Sequence, residues 1–175
     1  MEPLRKNSVN YGVLLGVFMI LATAIIYAVD LDLFTNAVYG VVNFIIIAAF
    51  GVLSAIKSKK SLGGFMTFKQ AFTAFFITIL IGLTISTLFS ILLFNFIDPD
   101  AKAVIMENVI KSTAEMMEKF GTPASEIEKI AEEMEKTDSF GPMGQLQGFV
   151  MNLIIYSIVG LIAALIVKRD RPESL

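Results

Sequence analysis

Four uncharged apolar runs set the pattern of this chain: Tyr11–Val29, Ala37–Ile56, Ala71–Ile97 and Phe149–Val167. At ~1.5 Å per helical residue, the nineteen residues of the first run give ~28 Å, close to the ~30 Å of a bilayer's hydrocarbon core. Each run therefore reads as a transmembrane helix. The first is long for the apolar stretch of a signal peptide, and Ala28-Val29-Asp30 is a poor small-x-small cleavage site. Between the third and fourth runs lies a polar island, Asp98–Gly144. The chain thus divides into spans 1–3 in residues 1–97 (about 11–29, 37–56 and 71–97), an acidic helical hairpin at 98–144, and a last span (about 149–167) with a basic tail in 145–175.

Polar residues at the ends of the runs predict where helices start and stop. Asp30 to Asn36 makes a short acidic turn, and Gly63-Gly64 breaks the loop after the second span. Thr67-Phe-Lys-Gln70 fits a capping box at the start of the third. Asp98-Pro99 pairs a preferred N-cap with a preferred first helical residue, so a new helix starts there. In that helix Ile105, Val109, Met116, Met117 and Phe120 alternate with charges at helical spacing. Gly121 supplies a stop, and Thr122-Pro123 repeats the cap signal. A second amphipathic helix then places Ile127, Ile130, Ala131 and Met134 on one face. The expected fold is all-α: an integral membrane four-helix bundle with an extracytoplasmic amphipathic helical hairpin between spans 3 and 4.

Charge gives this arrangement a direction. The island holds eleven of the sixteen acidic residues and five of the fourteen basic ones. Nine basic residues sit in the N-terminus (Arg5, Lys6), the loop after span 2 (Lys57, Lys59, Lys60, Lys69) and the tail (Lys168, Arg169, Arg171). Four spans put those three segments on one side, and the positive-inside rule makes it the cytoplasm. The hairpin and the Asp30–Asn36 turn are then outside.

Small residues recur where helices in lipid need close approach. Gly12 and Gly16 form a GxxxG pair; Thr78, Gly82, Ser86 and Ser90 make a stripe; Gly148, Asn152, Tyr156, Gly160 and Ala164 make another. Gly12, Gly16, Gly82, Ser86 and Gly160 are the helix-packing candidates, within one bundle or between two copies. Asn43 and Asn152 are the intramembrane polar candidates for a small pocket or an interhelical bond. No span carries Asp, Glu, Lys, Arg or His, the residues that mark ion and proton pathways.

The chain has no cysteine, histidine or tryptophan, which excludes disulfides, thiol chemistry and Cys/His zinc sites. Walker A, GxGxxG, HExxH, GxSxG and calcium-loop patterns are absent. No cofactor or nucleic-acid partner is expected. The favoured function is a non-enzymatic one, in which the hairpin binds an envelope protein or its own copy through Ile127, Ile130 and Met134. The alternative is a transport or channel component acting as an oligomer, with a path near Asn43, Thr78 and Ser86. A third reading is a lipid-modifying enzyme with oxygen-held metal at Asp30, Asp32 and Asp98.

Three stretches together carry a family resemblance: Tyr11-Gly-Val-Leu-Leu-Gly16, Gly64-Phe-Met-Thr-Phe-Lys-Gln-Ala-Phe72, and Asn95-Phe-Ile-Asp-Pro99 before an acidic helix. The chain resembles a family of small bacterial inner-membrane proteins with four predicted spans and unknown function. That resemblance implies the topology and a bacterial inner-membrane location, and brings no activity.

Overall fold

The computed structural model describes residues 2–170. Six helices follow one another: α1 Glu2–Val29, α2 Ala37–Ser61, α3 Phe68–Leu92, α4 Pro99–Lys119, α5 Ala124–Glu135 and α6 Pro142–Val167. A 3-10 turn, Leu31–Thr35, joins α1 to α2, and a π turn, Leu93–Ile97, ends α3. The described residues form no strand beyond one isolated bridge between Met66 and Arg169. The fold is an all-α bundle, and α1, α2, α3 with its π turn, and α6 are each long and apolar enough to cross a membrane.

The long helices wrap α3, which packs on α1, α2 and α6, while α2 also packs on α1 and α6. Glycines permit these approaches. A Cβ on Gly12 or Gly16 would come within 2.7 Å of Ile81 or Ile85 of α3, and one on Gly82 within 2.5 Å of Leu15 of α1. Phe75 is wedged between Gly51 of α2 and Gly160 of α6. The small-residue positions at Gly12, Gly16, Gly82 and Gly160 are thus occupied by neighbours within the same chain.

Helix α1 starts at Glu2, well before the apolar run at Tyr11. Tertiary packing holds the extra turns: Leu4 is buried with Ala55, Met66, Ala71, Ala74, Ala164 and Val167. Ser8 is buried beside Ser54 and Thr78, where the Thr78 hydroxyl meets Ser54 Oγ at 2.8 Å. This cluster brings the start of α1, the α2–α3 loop and the end of α6 to one face, the basic end of the molecule. There the Lys59 amine donates to the Val167 carbonyl at 2.7 Å, a cation on the orphan carbonyls of a helix C-terminus. Arg169 pairs with Met66 through both backbone bonds and lies 5.4 Å from the centre of the Phe65 ring. Arg171, counted above among the basic residues, lies outside the described residues.

The sequence signals for caps were met in most places. Thr67 and Gln70 form the full capping box of α3. Gly63 and Gly64 have φ of +79° and +85°, and their N–H groups return to Lys60 and Lys59, closing the end of α2. Asp98 caps α4 with Pro99 as its first residue. Gly121, at φ +78°, donates to Glu118 while Thr122 donates to Met117, a Schellman ending of α4. The start of α5 differs from expectation: Pro123, not Thr122, occupies the cap position, with no side-chain cap bond. Helix α6 begins at Pro142 after Gly141, seven residues ahead of the uncharged run at Phe149.

Candidate functional site

Two features stand at the end opposite the basic face: the α4–α5 hairpin and a chamber beneath it. The hairpin is anchored through the first half of α4. Ala101 and Ile105 are buried with Leu93 and Phe94 of the π turn, against Tyr27, Leu31, Phe34 and Phe140. Polar clamps surround this apolar joint. The Tyr27 hydroxyl donates to Asp98 at 2.7 Å, and the Ala101 N–H donates to the other Asp98 oxygen at 3.1 Å. Asn108 donates to Asp32 at 2.6 Å, and Lys102 pairs with Asp138 at 2.9 Å. The Asn95 amide donates to the Phe140 carbonyl at 2.9 Å, tying the π turn to the start of α6.

The charge on Asp98 follows from its donors. Above all the Tyr27 hydroxyl, and then the backbone N–H of Ala101, hold its carboxyl below the ordinary carboxylate range. Asp30 instead caps the 3-10 turn by accepting from the Asp32 N–H, and Asp32 accepts from Asn108. The three carboxylates proposed for a metal therefore serve separate bonds. No cluster of three or more metal-ligating residues occurs among the described residues.

Among the described residues, helix α5 packs chiefly on α4 and buries no residue fully. Its half-buried positions are Ile127, Ile130, Ala131 and Met134, so this is the side that α4 covers. The remaining face is exposed and carries Glu126, Glu128, Lys129, Glu132, Glu133 and Glu135. A groove of about 680 Å³ opens beside it, lined by Ala103, Met106, Glu107, Ile110, Lys111 and Glu135. What α5 presents outward is therefore acidic, and its apolar stripe is partly spent on the hairpin itself.

The chamber, about 220 Å³, lies among α1, α3 and α6. Its wall includes Thr23, Ser86, Thr87, Ser90, Gln145 and Asn152. Phe34, Phe94 and Phe140 also line it and meet edge to face, with ring centres 5.9 and 5.6 Å apart. Of the two candidate asparagines, Asn43 and Asn152, the second lines it; its amide donates to the Gly148 carbonyl one turn back. Asn43 sits half-buried on α2, away from this wall. Thr78 belongs to the buried Ser8–Ser54 cluster, so within the single chain this chamber gathers Ser86 but neither Asn43 nor Thr78. The hairpin clamps escaped sequence reasoning because their partners lie far apart in the chain, as Tyr27 and Asp98 do.

No curated protein and no solved structure matches the chain. Residues 10–169 match the model of a family described as "Protein of unknown function (DUF4199)", and the chain belongs to that family.

Proposed function

We propose that this is a non-enzymatic four-pass membrane protein whose α4–α5 hairpin binds the basic surface of an envelope protein. The observation that carries this reading is the outward face of α5, where five glutamates and one lysine are exposed on a helix that packs chiefly on α4. The anchored α4 gives that face a fixed position, and like charge disfavours pairing of two such faces from two copies. The basic end, with Arg5, Lys6, Lys57, Lys60 and Lys69 exposed, supports a cytoplasmic placement of both termini under the positive-inside rule. The hairpin then stands on the extracytoplasmic side of a bacterial inner membrane.

The test is photocrosslinking in cells from a probe residue placed at Glu133, facing out, and at Ile127, facing α4. The reading expects a discrete protein adduct from Glu133, lost when Glu126, Glu128, Glu132 and Glu135 become Gln and weakened by added salt. Capture of lipid alone, or of nothing, would remove it. An adduct with a second copy would replace the partner by self-association.

A further inference from the structure

We propose that the basic end of the bundle is a binding surface for anionic phospholipids. The observation beneath it is where the cations stand. Arg5 and Lys6 on α1, Lys57 and Lys60 on α2, Lys69 on α3 and Lys168 after α6 are all exposed. Each lies one to six residues from the end of an uncharged apolar run, at most ~9 Å at the helical rise. The polar layer on each side of a hydrocarbon core is about 5–8 Å thick. With the apolar runs in hydrocarbon, these long side chains reach headgroup phosphates by extending their stems.

The fold collects positions that are distant in sequence. Leu4, Ala55, Met66, Ala71, Ala164 and Val167 share one buried cluster, and Asn7 of α1 donates to Ser61 of α2 at 3.1 Å. Exposed Arg169 joins the same rim, its backbone paired with Met66 and its guanidinium over the Phe65 ring. Lys59 differs, because its amine is spent on the Val167 carbonyl. Against this collar the described residues at this end set two carboxylates, Glu2 and Asp170. Both ion pairs among the described residues, Lys102–Asp138 and Lys136–Glu132, belong to the hairpin end. The collar is thus one-signed.

What chooses a lipid over a soluble polyanion is the apolar surface next to that charge. Leu53 and Ile56 are exposed just before Lys57, and Leu165 and Ile166 just before Lys168. A ligand with an anionic head and acyl chains covers both parts at once. Each Lys or Arg near a negatively charged leaflet contributes ~1 kcal/mol. This inference is independent of the hairpin's partner and of the side on which the basic end lies.

The experiment places the full chain in phosphatidylcholine bilayers with spin-labelled lipids, and electron paramagnetic resonance reads the fraction held at the protein surface. Spin-labelled phosphatidylglycerol should be preferred about fivefold over spin-labelled phosphatidylcholine, equivalent to ~1 kcal/mol. Sodium chloride at about 1 M should bring the two toward parity. A collar variant carrying Lys57→Gln, Lys60→Gln, Lys69→Gln and Lys168→Gln, checked for native helicity, should lose the preference. A hairpin variant carrying Lys111→Gln, Lys119→Gln and Lys129→Gln should keep it. Equal retention of the two lipids by the unmodified chain overturns the proposal, whether or not the collar variant folds. So does a preference that survives in the folded collar variant or disappears in the hairpin variant. Loss of the preference to inorganic phosphate, beyond that caused by chloride at equal ionic strength, would mark a site for free anions and overturn it too.

Discussion

Single glycines decide how closely the long helices approach. A methyl group on Gly82 would sit 2.5 Å from Leu15, and one on Gly16 would sit 2.7 Å from Ile85. Gly148 has nothing within 4 Å of the same position. Gly82→Ala and Gly16→Ala should each lower unfolding stability in detergent by about 1–3 kcal/mol, the usual cost of overpacking. Gly148→Ala should stay within about 0.5 kcal/mol of the parent. The rows that hold Gly12 and Gly16, Gly82, and Gly148 and Gly160 were legible in the sequence because their positions repeat every fourth residue. Gly51 was not, since it stands between large residues at Ile47 and a lone Ala55; only the structure shows it against the Phe75 ring. The asparagines were visible as polar residues in apolar runs, yet sequence could not say that Asn152 and not Asn43 lines the chamber.

Among the elements, α4 is the joint on which the hairpin's position depends. Its first turn rests on Asp98, whose carboxylate accepts from Tyr27 and Ala101. Because those bonds lower the folded pKa, the Asp98 contribution is complete above the unfolded carboxylate value of about 3.9. It is lost as pH falls through the lower folded value. Hydrogen exchange in the first turn of α4 should therefore stay protected until below the ordinary carboxylate range. In Tyr27→Phe, which deletes the main cause of the shift, protection should be lost at a higher pH; an unchanged profile would show that the clamp does not hold the turn. Helix existence and type were readable from hydropathy and cap residues throughout. Boundaries were less so, because the extra turns of α1 from Glu2 depend on the burial of Leu4 and Ser8 by residues far away in the chain. The π turn at Leu93–Ile97, closed by the Asp98 N–H on the Leu93 carbonyl, likewise leaves no mark in the hydropathy pattern.

For the whole molecule, the long helices carry charge in opposite senses to their two ends. Leu4, Met66 and Val167 gather the basic segments at one end, while the acidic hairpin closes the other. Helix α1, at ~42 Å, and α3 with its π turn, at ~45 Å, both exceed a ~30 Å hydrocarbon core, so both ends have length to stand in water. The proposed function needs the hairpin on the side away from the cytoplasm, because its availability to an envelope partner depends on that placement. Because the chain has no cysteine, single thiols report it directly. Ser125→Cys, exposed at the start of α5, and Ser61→Cys, exposed at the end of α2, would each be exposed to a membrane-impermeant maleimide in intact cells with a permeable outer layer and again after lysis. The account predicts that Ser125→Cys reacts in intact cells and Ser61→Cys only after lysis. The reverse pattern, or the same accessibility at both sites in intact cells, would contradict it.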